Sequence, residues 1–215
     1  MSNFQYSKRI LSKMPSNIEL QTSNIEILIL AAGSSNRLGQ PKQLVEFEGQ
    51  TLIERITHTA LSVSEDVLVV LGANIELIKP KLSVFSDRIN IIENPDWQEG
   101  MGTSIRVGMG NLASKSDAVM ILLADQPLIS QVLLQNMMQT FAEKKFTIVA
   151  CDYGGQLGVP ILFDKSFFPE LLKLKGEQGA KSFLKNYQKE IATVSFKEGL
   201  FDIDTPEDLK KLHSI

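Results

Sequence analysis

Cysteine, histidine and tryptophan are scarce here: 215 residues hold one Cys, two His and one Trp. Cys151 has no partner for an internal disulfide, which excludes a disulfide-stapled scaffold and points to a reducing compartment. His58 and His213 lie far apart, each in a predicted helix, so a histidine-based zinc site is not expected. Nor does any Ser–His or Cys–His arrangement stand out. No apolar run approaches the roughly 20 residues that span a bilayer. Residues Met1 to Ile10 lack the apolar stretch of a secretory signal, so the expected location is cytoplasmic, with no membrane partner. Neither sign of charge dominates, the net value being −3 with 22 cations spread along the chain. Without a basic stripe and interleaved aromatics, nucleic acid is not an expected partner.

What is present is a hydrophobic fraction of 43% in a length that suits one domain with a substantial core. Residues 1–24 are polar and irregular and read as an N-terminal extension; the domain proper runs from 25 to 215. Its first segment, Ile25 to Ala31, is short and isoleucine-rich, as a strand buried on both faces requires. Thr51-Leu-Ile-Glu54 is a capping box that opens a helix to about Val63. Asp66 to Leu71, Arg88 to Glu93, Ala118 to Leu123, Phe146 to Ala150, Val159 to Phe163 and 191–196 read as further strands. Helices are predicted over Ile75 to Val84, with Pro80 as a disturbance, from Ser130 to about Glu143, and over 166–174 and 178–187. Strands alternating with helices predict an α/β fold with a mostly parallel central sheet. No repeat, low-complexity tract or interdomain linker interrupts it.

Four segments carry chemistry. In the first, the strand ending at Ala31 breaks into a small-residue loop that offers Arg37 and Lys42, five residues apart. Backbone of Ala31, Ala32 and Gly33 is open to close approach, and freed N–H groups there can point at anionic oxygens. Arg37 suits forked phosphate contacts and Lys42 is a compact point charge. A dinucleotide fingerprint fails because Ser35 and Leu38 stand where glycines are required, and a P-loop fails because Leu38-Gly39 replaces Gly-Lys.

The second segment is Asp125-Gln-Pro127, an acidic residue just past a buried strand, suited to Mg²⁺ at a sheet edge. The third is Asp202-Ile-Asp204-Thr-Pro-Glu-Asp208. Thr205 caps a helix and Pro206 starts it, which explains neither Asp204 nor Asp202. The fourth, Asn94 to Gly108, sets Gly100 and Gly102 ahead of a helix with Thr103 and Ser104 near its start, a place for backbone contacts to an anion. If the sheet is parallel there, the loops after Ala31 and Leu123 share one crevice at the strands' carboxyl ends.

The run Leu30-Ala-Ala-Gly33-Ser-Ser-Asn-Arg37-Leu-Gly39-Gln-Pro41-Lys42 resembles the signature of GT-A-like nucleotidyltransferases. With Asn94-x-x-Trp97-x-x-Gly100-Met101-x-x-Ser104, Asp125-Gln-Pro127, Gly158-Val-Pro-Ile-Leu-Phe163, Gly176-Glu-Gln-Gly-Ala-Lys181 and Asp202 to Asp208, the chain most resembles the molybdenum cofactor cytidylyltransferase family. Two positions depart from it: Val159 stands where many members have His or Asn, and Lys181 where Arg is usual. The resemblance implies a three-layer Rossmann-like fold. It implies CMP transfer from CTP to a phosphorylated pterin acceptor, with a molybdenum hydroxylase as a further partner. Leu30, Ala31, Ala32, Gly33, Gly100 and Ser104 would meet the nucleotide. Arg37 and Lys42 would stabilise pyrophosphate, and Asp125 with Asp204 would hold Mg²⁺, Asp202 being the substitute. Ala32 favours cytidine, since the guanylyl-transferring sister family usually has Gly-Gly at 32–33. The methylerythritol-phosphate cytidylyltransferases, which share Pro41-Lys-Gln43, and a non-catalytic accessory role rank behind this reading.

Overall fold

The computed structural model describes residues 24–112, 115–203 and 205–212. Its strands are β1 (Ile25–Ala31), β2 (Glu46–Phe47), β3 (Gln50–Thr51), β4 (Val67–Leu71), β5 (Asn90–Glu93), β6 (Ala118–Leu123), β7 (Ile148–Asp152), β8 (Leu157–Asp164) and β9 (Ile191–Ser195). Its helices are α1 (Leu52–Leu61), α2 (Ile75–Ile78), α3 (Met101–Met109), α4 (Gln131–Ala142), α5 (Phe168–Leu171), α6 (Lys181–Leu184) and α7 (Pro206–Leu212).

Seven strands form the central sheet in the order β5-β4-β1-β6-β8-β7-β9. Pairing is parallel except where β8 runs against both β6 and β7. Successive strand residues face opposite sides, and both sides are covered. Ile27, Ile29 and Ala31 pack with Ile53, Ile56 and Ala60 of α1 and Leu134 and Met137 of α4. Leu28 and Leu30 pack with Ile105 and Met109 of α3, Leu171 of α5 and Leu184 of α6. That is a three-layer α/β domain. A smaller apolar cluster joins Leu38, Val45, Phe47 and Leu52 to Ile203 and Leu212, tying the end of the chain beneath the first loop. Among the described residues no helix is long and apolar enough to cross a membrane.

Side-chain caps mark the starts of α1 and α4. Thr51 N–H donates to Glu54 Oε2 at 2.9 Å, completing the capping box of α1. Ser130 Oγ accepts from Leu133 N at the start of α4. Pro80 changes the predicted helix over 75–84 into four α-helical residues followed by a 3-10 stretch, Lys79–Phe85, because it supplies no N–H. The predicted helices over 166–174 and 178–187 shrink to one α-turn each, and the strand placed at Phe146 starts at Ile148. The β2–β3 hairpin was not expected. Glu48 and Gly49 both have positive φ, 51° and 79°, as a tight hairpin turn requires, but Glu-Gly is a weak turn signal and each strand is two residues long.

Helix α3 has a glycine inside its apolar stripe. A Cβ on Gly108 would lie 2.4 Å from Leu28 Cδ1 in the core, so the helix sits closer to β1 than any side chain allows. Gly108→Val should therefore lower the unfolding free energy by about 1–3 kcal/mol through overpacking. Gly110, at the exposed end of the helix, has no neighbour nearer than 3.4 Å, and Gly110→Ala should be neutral or slightly stabilising. Urea denaturation of the two variants checks this; equal effects would contradict the packing argument.

Candidate active site

Strands β1 and β6 run parallel with Leu30 opposite Leu123, so the loops that follow them leave the same edge of the sheet. The first loop is tied to both neighbours: Ala124 N donates to Leu30 O at 3.3 Å and Ala73 N to Ala32 O at 3.0 Å. Ser35 (φ 58°) and Gly39 (φ 75°) turn the chain back, and Ser35 Oγ accepts from Lys42 N at 3.0 Å. Gln43 closes the loop from below, its Nε2 donating to Ala31 O at 2.8 Å and Gly33 O at 3.1 Å.

The cation of this loop meets the carboxylate of the next. Lys42 Nζ lies 2.9 Å from Asp125 Oδ2, across 83 residues of sequence. The other carboxylate oxygen, Asp125 Oδ1, is buried and has no hydrogen-bond partner. A buried acceptor of that kind costs about 1–3 kcal/mol unless something donates to it or coordinates it. With Oδ2 on a lysine and Oδ1 unused, Asp125 is suited to a hard divalent cation, which takes oxygen ligands. Among the described residues no group of three or more Asp, Glu, His or Cys could hold a metal. A cation here would need ligand oxygens from a bound phosphate as well.

The opposite wall is the start of α3. Asn94, fully buried after β5, donates from Nδ2 to Thr103 Oγ1 at 2.9 Å and Ser104 Oγ at 3.0 Å, and its Oδ1 accepts from Asp96 N at 3.0 Å. Ser104 Oγ is thus an acceptor within the protein and keeps its own proton to donate. Gly72 lets this wall approach the loop, since a Cβ there would lie 2.7 Å from Trp97 Cβ and 2.9 Å from Ala32 Cβ. Gly102 N donates to Gly176 O at 2.8 Å, bringing the segment around Glu177 to the rim. Gly100, at φ 116°, would meet Gly176 backbone at 2.5 Å with any side chain.

Together these segments enclose a cavity of about 650 Å³. Leu30, Ala31, Ala32, Gly33, Arg37, Lys42, Gly100, Ser104 and Asp125 all line it. Gln43, Trp97, Met101 and Glu177, to which the sequence assigned no ligand role, line it too. Trp97 serves both the cavity and the apolar cluster behind it. Asp204 lies outside the described residues. Asp202 is exposed beside the Asp125 loop: Gln126 Nε2 donates to Asp202 Oδ1 at 3.2 Å, and Ile203 N to Asp125 O at 3.3 Å. Lys181 is exposed on α6 and Val159 is buried, and neither lines the cavity. His58 is exposed on α1, and His213 lies outside the described residues.

Residues 27–191 match the family of the MobA-like NTP transferase domain. The chain belongs to this family. The purine catabolism protein PucB of Bacillus subtilis (strain 168) is 33% identical over 191 residues, covering 84% of this chain and 92% of that protein. The nicotine blue oxidoreductase of Paenarthrobacter nicotinovorans is 28% identical, covering 86% of this chain and 94% of that protein. The molybdenum cofactor cytidylyltransferase of Escherichia coli (strain K12) is 24% identical, again covering 86% and 94%. Rv0371c from Mycobacterium tuberculosis H37Rv, a solved structure, shares the fold at a TM-score of 0.79 and 24% identity, covering 91% of this chain and 100% of that one. Family membership, rather than any one relative, makes this MobA-like protein a nucleotidyltransferase.

Two outcomes follow from the geometry. Asn94→Ala strips two hydroxyls of their donor and should lower stability by about 1–3 kcal/mol, read by urea denaturation. Burial pushes the Cys151 thiol up to about 12, so the folded protein holds it protonated and inert near neutral pH. Reaction with a thiol-specific disulfide reagent at neutral pH should be negligible in the native protein and complete in denaturant. Fast native labelling would show that strand β7 is not buried as described.

Proposed function

We propose that this MobA-like nucleotidyltransferase moves CMP from CTP to a terminal phosphate of a phosphorylated acceptor, a molybdopterin-type pterin, and releases pyrophosphate. The observation that carries the reading is the Lys42–Asp125 pair: a cation and a carboxylate 2.9 Å apart in one cavity with the glycine-bearing loop. An acceptor phosphate oxygen attacks the α-phosphorus, a new P–O bond forms, and the bond to the β-phosphate bridge oxygen breaks. That chemistry needs positioning and charge neutralisation more than a protein nucleophile. The inert Cys151 and the exposed His58 are consistent with this.

Lys42 and Arg37 would neutralise the departing pyrophosphate from the loop side. The N–H groups of the Ala31 to Gly33 segment and the Ser104 hydroxyl would meet the nucleotide. Asp125, through Oδ1, would hold Mg²⁺ together with Asp204 or Asp202. When bound, such an ion neutralises charge on the phosphates and orients the attacking oxygen. Cytidine is favoured by the resemblance to cytidylyltransferases, with Ala32 standing where the guanylyl-transferring sister family usually has glycine.

Pyrophosphate release, measured with CTP, GTP and ATP against a molybdopterin acceptor in the presence of Mg²⁺, tests the reading. CTP should be the preferred donor. Asp125→Ala should lower turnover by at least about 100-fold with the fold intact by circular dichroism. Turnover with GTP alone would overturn the base assignment, and nucleotide binding without turnover for every pair would favour the accessory role. Retained activity in Asp125→Ala would sink the metal assignment.

A further inference from the structure

Gln43 sits next to the lysine, in the 3-10 turn Lys42–Leu44, and is only 4% exposed although it reaches the cavity wall. Its Nε2 serves two carbonyls, Ala31 O and Gly33 O. That pairing fixes the amide's orientation, because the flipped side chain would set its oxygen against two acceptors. Its Oε1 is buried without a partner, a cost that an apolar side chain filling the same space would avoid. The two donors are therefore what the position retains.

Peptide units are planar and trans, so the N–H opposite a held carbonyl points away from whatever holds it. The N–H groups in question belong to Ala32 and Ser34, and both residues line the cavity. We infer that Gln43 is the positioning residue of the phosphate loop: by holding the carbonyls of Ala31 and Gly33 it keeps their lone pairs out of the polyphosphate's path and sets the direction of the loop's N–H donors. Unpinned, either peptide could rotate and present a carbonyl oxygen to an anionic ligand. The lysine next door supplies charge, and the glutamine supplies the backbone orientation that makes the charge useful. This inference rests on the reading of the cavity as a triphosphate site.

Binding of inorganic tripolyphosphate and of CTP to the full chain, measured by calorimetry at about pH 5 and about pH 8, tests it with wild type, Gln43→Met and Gln43→Glu. Gln43→Met keeps the shape and removes both donors; it should weaken binding about 10- to 100-fold at both pH values. Gln43→Glu should be weaker still at the higher pH, where an ionised carboxylate faces two carbonyls. It should recover in part at the lower pH, where the protonated carboxyl donates once, burial having raised its pKa. A space-filling role would not create that pH dependence. Wild-type affinity in Gln43→Met overturns the inference, as does a Gln43→Glu variant whose loss is the same at both pH values. Should Gln43→Glu fail to fold, judged by circular dichroism, Gln43→Met decides alone. A wild type that binds neither tripolyphosphate nor CTP, GTP or ATP refutes the triphosphate reading instead, so the two failures are distinguishable.

Discussion

Parallel pairing of β1 with β6, Leu30 beside Leu123, is the constraint from which the site follows. Had the two strands run antiparallel, the loop carrying Lys42 and the loop carrying Asp125 would leave opposite edges of the sheet. Parallel pairing needs helices on both faces to bury the strands. The alternation of Ile27, Ile29 and Ala31 toward one helical layer with Leu28 and Leu30 toward the other meets that need. Sheet register, core composition and the meeting of the two charges are thus one arrangement seen at three scales.

Close approach is the second constraint, and it is met by glycines rather than by strong contacts. Gly108 lets α3 lie against Leu28, Gly72 lets Trp97 approach Ala32, and Gly100 and Gly102 let the 175–177 backbone dock on the start of α3. A helix interior glycine costs roughly 0.5–1 kcal/mol relative to alanine. That cost is offset where the backbone must approach another segment more closely than a Cβ permits. The cavity's width is in effect set by which positions lack a side chain.

Much of this was legible in the sequence, for reasons that differ by element. Strands β1, β4 and β6 are buried on both faces, so their composition is nearly all apolar and cannot be mistaken for surface. The capping box at Thr51 and the cap at Ser130 announce their helices because the bonds are local. The loop residues Ala31 to Lys42 and Asp125 could be grouped because both follow strands of the same type. The rest depended on distant partners. Asn94 binds hydroxyls nine and ten residues on, Gln126 reaches Tyr153 and Asp202, and Glu177 arrives by docking of a loop. No spacing rule relates such residues. The short helices after β8 were overextended: each is a single α-turn, and α5 itself has no side-chain cap.

The side chains that hold the site in shape are amides, while those facing its interior include the charges. Gln43, Asn94 and Gln126 are all nine-tenths buried or more, and each bonds a partner nine or more residues away. Neutral clamps suit this setting. A buried lysine or carboxylate in their place would need its own counter-ion, and its field would add to or cancel the charge meant for a ligand. An amide offers two donors and an acceptor without net charge, so the charged groups that line the cavity remain Lys42, Arg37, Asp125 and Glu177. The division separates geometry from electrostatics: under the proposed function the amides would set where a polyphosphate lies, and the ions how strongly its developing charge is stabilised.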